Sequence, residues 1–293
     1  MHKAGFVNIV GNPNVGKSTL MNTLVGEKLS IITSKSQTTR HRIMGIVSGD
    51  DFQIVYSDTP GVLKPNYKLQ ESMLRFAGSA LVDADVLLYV TDVYETSDKN
   101  ADFLYKVKQL EIPVILILNK IDLSSQEKVT ELSQHWQTEL PKAFILPLSA
   151  QEKFGIDALF NKIIELLPES PAYFDKEELT DKSERFFVSE IIREKILINY
   201  KKEVPYSTEV EIDEFKEEEA IIRIRAIIYV ERDSQKGIII GHKGGALKQV
   251  GIQSRIDIEA FFEKKVHLEL HVKVSKDWRD KREALDKFGY NNI

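Results

Sequence analysis

Residues 11–18 read Gly-Asn-Pro-Asn-Val-Gly-Lys-Ser, and no other stretch of the 293-residue chain restricts the fold as tightly. They follow the apolar run Phe6-Val7-Asn8-Ile9-Val10 and lead into Thr19-Leu20-Met21-Asn22-Thr23-Leu24, giving the order strand, glycine turn, helix. Gly11 and Gly16 permit backbone angles and close approaches that a side chain would block. Successive N–H groups can then converge as an anion nest, reinforced by the positive end of the helix. In such a loop Lys17 reaches the outer phosphates of a nucleotide and the Ser18 hydroxyl faces a magnesium ion. Asn12, Pro13, Asn14, Val15 and Thr19 complete the expected cradle.

The surrounding pattern fits that turn. Strands are expected over residues 5–10, 52–57, 86–91, 114–118 and 143–148, several as almost unbroken apolar runs, as parallel strands covered on both faces require. Helices are expected between them, over 17–25, 69–81, 100–110, 126–140 and 156–167. This is a doubly wound α/β domain, and in such sheets ligands sit at the carboxyl ends of the strands.

Three of those ends carry chemistry. Asp58-Thr59-Pro60-Gly61 lies forty residues after Ser18. An aspartate there can hold magnesium, and the Gly61 N–H can meet a γ-phosphate. Asn119-Lys120-Ile121-Asp122 follows the next-to-last strand. A carboxylate accepts from both N1–H and the exocyclic amine of guanine, whereas adenine offers no donor at either place, so Asp122 is the expected guanine reader. Asn119 is placed for the O6/N7 side and for bracing the loop. Ser149-Ala150 would add a backbone N–H near guanine O6. Residues 30–42, rich in hydroxyls, read as neither helix nor strand. Thr39, with Thr38 as the alternative, is the expected magnesium ligand there, which would make the segment a switch.

Composition sets limits. Hydrophobic and charged fractions of 42% and 29% are those of an ordinary globular protein. Without cysteine, disulfides and cysteine–metal sites are excluded, which fits a reducing compartment. The first strand starts within a few residues of the N-terminus, so no signal peptide is expected. Apolar runs of five residues fall far short of the ~20 needed to span a bilayer. The net charge of −5 is unevenly spread: from Ala220 onward 15 basic residues face 10 acidic ones. A basic end can meet a polyanion even when the whole chain is acidic.

Residues 168–185 hold two prolines and a polar, charged run; the expected division is a nucleotide-binding domain over 1–170, a linker with little order over 171–185, and a second domain over 186–293 with a C-terminal extension. In that domain a helix over 185–200 precedes strands over 207–214 and 220–232, with 215–219 as an acidic turn. Ile222, Ile224, Ala226, Ile228 and Val230 share one face of the second strand. Next comes Gly241-His242-Lys243-Gly244, followed by a helix over 246–262 and a strand over 266–274. A Gly-x-x-Gly turn between helices resembles the clamp by which KH domains hold single-stranded RNA. Its glycines let the sugar–phosphate backbone approach the main chain, and the loop lysine adds charge. The order helix–strand–strand–helix–helix–strand resembles a type II KH domain, a smaller α+β fold. Lys264-Lys265 and residues 278–282 extend the basic character, but a solvated face accounts for them as well.

Taken together, GNPNVGKSTLMNTLVGEKLSI, SQTTRHRI, DTPG, NKID and the KH order resemble the Era family of bacterial ribosome-assembly GTPases. The resemblance implies a P-loop GTPase that binds GTP and GDP with magnesium, with Lys17, Thr39, Gly61 and Asn14 in catalytic roles and Ser18, Thr39 and Asp58 on the metal. Val62 stands where Ras-like enzymes carry the glutamine that orients the attacking water, so intrinsic turnover should be slow. Asn14 resembles the asparagine that binds potassium in related enzymes. Partners implied are the 3′ region of small-subunit ribosomal RNA and the small ribosomal subunit, for a monomeric cytoplasmic protein with peripheral contact to the inner membrane. Two rivals stand beside this: an ATP-dependent kinase or ligase, against which Asn119–Asp122 argues, and a nucleotide-switched scaffold for protein or membrane partners without RNA.

Overall fold

Val7, Ile9 and Val10 are fully buried, as a strand covered on both faces requires. They belong to β1 (Lys3–Gly11), the centre of a six-stranded sheet in the first of two units of the computed structural model, which describes residues 2–62, 64–95 and 101–291. The other strands are β2 (Ile43–Ser48), β3 (Phe52–Asp58), β4 (Val86–Asp92), β5 (Val114–Asn119) and β6 (Phe144–Pro147). Their spatial order is β2-β3-β1-β4-β5-β6, with only the β2–β3 pair antiparallel. Helices α1 (Lys17–Val25), α2 (Lys68–Val82), α3 (Ala101–Lys108), α4 (Gln126–Glu139) and α5 (Ile156–Leu166) connect them. The expected start of α3 at Asn100 lies outside the described residues.

One core gathers Val10, Leu87 and Leu116 from the strands with Ala77 from α2, Leu104 from α3 and Trp136 from α4. On the α1 and α5 side, Leu20, Met21, Leu159 and Ile163 are buried. β2 is a strand that periodicity does not announce. The polar loop 30–42 runs straight into it and Gly45 interrupts its apolar residues, yet Ile43 and Ile46 are buried and pair with Asp58 and Val55 of β3.

Residues 171–181, expected as linker, are pinned to this unit. Gln53, fully buried on β3, accepts from the N–H groups of Tyr173 (2.7 Å) and Phe174 (3.0 Å) and donates to Phe174 O (2.9 Å). Farther along, Ile46 N–H donates to Leu179 O (2.8 Å), Thr180 Oγ1 to Met44 O (2.7 Å), and Met44 N–H to Asp181 Oδ1 (2.9 Å). The first unit thus reaches Asp181, and from Lys182 onward the described chain belongs to the second. The segment lacks periodicity because it borrows its hydrogen-bond partners from β2 and β3.

The second unit opens with α6 (Glu184–Asn199), N-capped by Ser183, whose hydroxyl accepts from Phe186 N–H. β7 (Glu209–Glu217), β8 (Ile221–Val230) and β9 (Lys265–Val274) form a sheet in the order β7-β8-β9, antiparallel then parallel. α7 (Asp233–Ile240) and α8 (Gly245–Phe262) join α6 against it. Ile222, Ile224, Ala226, Ile228 and Val230 form the centre of the core with Ile192 and Ile258. The acidic turn is shorter than expected. A register shift between Ile212 and Glu214 lets β7 continue to Glu217 and brings Phe215 against Phe262, at 5.8 Å between ring centroids. At the C-terminal end, Trp278 is fully buried and its indole N–H donates to Ser207 O (2.9 Å), while α9 (Arg282–Lys287) leads to a buried Tyr290.

Candidate functional site

β1 ends beside β4, with Gly11 paired to Val90, and the chain turns at once into residues 12–16. A Cβ on Gly11 would stand 2.1 Å from Val90 O, and one on Gly16 2.3 Å from Asn119 Nδ2. Gly16 (φ 97°) and Asn14 (φ 66°) take left-handed backbone to complete the turn. Lys17, the first residue of α1, is buried and donates to the carbonyls of Gly11 (3.0 Å) and Asn12 (2.8 Å). Burial disfavours its ammonium and brings its pKa down to about 8, against the pull of the Asp58 and Glu95 carboxylates.

Three oxygen-bearing side chains meet next to it. Ser18 Oγ donates to Asp58 Oδ2 (2.7 Å) and lies 2.9 Å from Thr39 Oγ1, which is itself 3.2 Å from the same carboxylate oxygen. Burial raises the Asp58 carboxyl above its usual range, opposed by Lys17 and by the hydroxyl hydrogen bonds. The other carboxylate oxygen, Oδ1, is buried without a hydrogen bond. That donor set fits a hard divalent cation, which takes oxygen ligands and leaves positions for phosphate and water. Among the described residues no group of three or more His, Cys, Asp or Glu is placed to hold a metal. Thr38 turns the other way: its hydroxyl donates to Lys35 O and lies 2.7 Å from Thr33 Oγ1.

Thr59 Oγ1 donates to Ile9 O (2.8 Å), and Pro60 is buried. Gly61 lies so close to Pro13 that a Cβ would come within 2.8 Å of the Pro13 ring and backbone. Val62, in the position where Ras-like enzymes carry the water-orienting glutamine, does not line the cavity. Its N–H donates to Gly11 O (3.1 Å) while its side chain packs with Val10, Ala77 and Leu81. The turn, residues 31–35 and 37–39, Thr59, Gly61 and Lys120 line a cavity of about 330 Å³.

At the far end, Asn119 is buried with both polar groups committed: Nδ2 donates to Val15 O (2.8 Å) and Oδ1 accepts from Ala150 N–H (3.0 Å). This is the bracing role. It also engages the Ala150 N–H expected near guanine O6, and Ser149 Oγ accepts from Glu152 N–H (3.2 Å). Asp122 is exposed in the turn Ile121–Leu123. Lys120 (φ 63°) reaches back to Asn14 O (2.5 Å) and to Asp92 Oδ2 (2.7 Å). Asp92 is a residue sequence reasoning missed; the only signal was its place at the end of an apolar strand.

In the second unit, Gly241-His242-Lys243-Gly244 joins α7 to α8. Lys243 (φ 48°) and Gly244 (φ 76°) are left-handed, and Gly241 takes an extended conformation at positive φ (71°) that is open essentially to glycine alone. A Cβ on Gly241 would stand 2.6 Å from Ala246 Cβ, whereas Gly244 faces open space. His242 and Lys243 are exposed. A groove of about 410 Å³ begins at Gly244 and runs between α8 and β9. Lys248, Ile252 and Arg255 line one side, and Leu268 and Leu270 the other. None of these five was expected; the spacing 248, 252, 255 on one helix face was the available signal.

Comparison with known proteins agrees with this geometry. The family described as "50S ribosome-binding GTPase" matches residues 6–120, and the KH domain family matches residues 203–279. GTPase Era of Syntrophus aciditrophicus is 46% identical, with 99% of this chain and 96% of the relative covered. GTPase Era of Caldicellulosiruptor saccharolyticus is 45% identical, with 99% and 98% covered. A crystal structure of Era in complex with MgGDPNP and nucleotides 1506–1542 of 16S ribosomal RNA superimposes with a TM-score of 0.95 at 38% identity, covering 99% of each chain. A single-residue variant of Aquifex aeolicus Era bound to GDP·AlF4⁻ gives 0.94 at 39% identity, covering 98% of this chain and 99% of that one. A P-loop turn at the carboxyl end of a doubly wound sheet, a KH unit following it in the chain and relatives similar along the whole length have one reading: the chain belongs to the Era family of GTPases.

Proposed function

We propose that the chain is a magnesium-dependent GTP switch that controls an RNA clamp. The observation that carries this reading is the meeting of Ser18, Thr39 and Asp58 beside Lys17, with one buried carboxylate oxygen left unbonded. Magnesium, when bound, neutralises charge on the β- and γ-phosphates. Ser18 and Thr39 would hold it through their hydroxyls and Asp58 through water or directly. Lys17 would exchange the Gly11 and Asn12 carbonyls for phosphate oxygens, and the Gly61 N–H would meet the γ-phosphate. Loss of that phosphate would release Thr39 and relax residues 30–42 and 58–70, of which Leu63 lies outside the described residues. Asp122 would read guanine, on a loop that Asn119 braces.

With Val62 packed in the core, no side chain at that position orients the attacking water, so unassisted turnover is slow. Asn14 lines the cavity and would hold a potassium ion there. In the second unit, the Gly241–Gly244 turn, with His242 and Lys243 exposed on it, would clamp the backbone of single-stranded RNA and the groove would take its bases. Solved relatives holding MgGDPNP, GDP·AlF4⁻ and a 16S ribosomal RNA segment support the nucleotide, the metal and the 3′ region of small-subunit ribosomal RNA as ligands. Small-subunit maturation, a monomeric cytoplasmic state and peripheral membrane contact rest on the family resemblance. No helix among the described residues is long and apolar enough to cross a membrane.

Competition and variants test each part. GTP, and not ATP, should displace a fluorescent GDP, and Asp122→Asn should move preference toward xanthine nucleotides; equal competition by ATP would sink the nucleotide half. Gly244→Asp should abolish RNA binding with GDP affinity intact, since the site is open and the added charge repels phosphate. Unchanged RNA affinity would favour the scaffold reading. Turnover equal in potassium and sodium, with Asn14→Ala unaffected, would remove the cation.

A further inference from the structure

The end of β4 carries a carboxylate that the site described above does not use. Asp92 is 6% exposed and stands in register with Asn119 of β5. Its two oxygens have separate duties. Oδ1 accepts from Tyr94 N–H (3.0 Å), which fixes the carboxylate in its own turn, and Oδ2 accepts from Lys120 Nζ (2.7 Å). The same ammonium donates to Asn14 O, so one lysine ties the end of β4 to the middle of the glycine turn. Lys120 and Asn14 both line the cavity; Asp92 does not.

We infer that Asp92 is a positioning residue that holds Lys120 across the Asn14 carbonyl and so builds one wall of the nucleotide cavity before nucleotide arrives. A lysine stem loses much rotamer freedom when it is fixed, and a single neutral carbonyl is a weak anchor for it. The carboxylate, oriented by its own backbone and mostly screened from water, supplies the second anchor. The ordering is then complete in the empty protein and need not be repeated on binding. Lost pre-organisation appears mainly in dissociation. The inference rests on the nucleotide reading above.

Release of a fluorescent GDP from wild type, Asp92→Asn, Lys120→Met and the double variant tests it. Asp92→Asn keeps an acceptor for Tyr94 N–H and should release GDP about tenfold faster, while in the Lys120→Met background it should add less than about twofold. Asp92→Glu, which keeps the charge, should recover most of the wild-type lifetime. If the losses multiply in the double variant, or Asp92→Asn matches wild type, Asp92 does not act through Lys120 and the inference is overturned. Should Asp92→Asn fail to fold, Asp92→Ser, which also keeps an oxygen acceptor for Tyr94 N–H and lacks the charge, takes its place in the same cycle with the same expected outcomes. A wild type that binds GDP no better than ADP overturns the nucleotide reading instead, and is seen before any variant is made.

Discussion

Gly16 and Gly26 bracket α1, and both take positive φ, 97° and 85°. Sequence treats them alike; their surroundings do not. A Cβ at Gly26 meets nothing within 4 Å, so alanine there costs only the left-handed backbone, about 1 kcal/mol. A Cβ at Gly16 lands on Asn119 Nδ2, which is buried and bonded to Val15 O. Gly16→Ala should therefore cost about 2–4 kcal/mol, strain plus a broken buried hydrogen bond, and weaken GDP binding as well. Denaturant midpoints of the two variants check this, and equal midpoints would count against it. Contiguous motifs such as Gly11–Ser18, Asp58–Gly61 and Asn119–Asp122 could be singled out in the sequence because the residues of each lie within a few positions of one another at or just beyond a strand end. Val62 and Asp92 were not legible in that way. The first turns into the core while its neighbours face the cavity, and the second finds Lys120 only through the register of β4 on β5.

Among elements, the strong apolar strands β1, β4 and β5 and the helices between them were readable from periodicity. β2 and the segment 171–181 were not, because each is held chiefly by hydrogen bonds to other parts of the chain. Gln53 shows how much rests on one side chain. It takes or gives four hydrogen bonds, three of them to residues 173 and 174. Gln53→Leu keeps the volume and removes all four, so the unit should lose about 2–4 kcal/mol. Amides of residues 172–176 should exchange with solvent at least tenfold faster, by hydrogen-exchange mass spectrometry, while those of β5 keep their protection. Unchanged exchange at 172–176 would mean that other contacts hold the segment.

For the molecule as a whole, net charge misleads. The chain is acidic, yet its positive excess lies from Ala220 onward, where Lys243, Lys248 and Arg255 stand on or beside the Gly-x-x-Gly turn and its groove. Three cations on single-stranded RNA predict a slope near −2 in log affinity against log salt. Raising salt from about 50 to 200 mM should thus weaken RNA binding about twentyfold, as fluorescence anisotropy would report; a flat response would place the RNA elsewhere. The groove itself could not be read from sequence, since α8 and β9 become its two walls only once the sheet has formed. The pairing of residues 179–181 with β2 has a practical side. A piece ended after α5 would keep every residue around the nucleotide cavity yet bare a strand flank ready to aggregate with its own copies; the smallest fragment able to live alone in solution extends to Asp181.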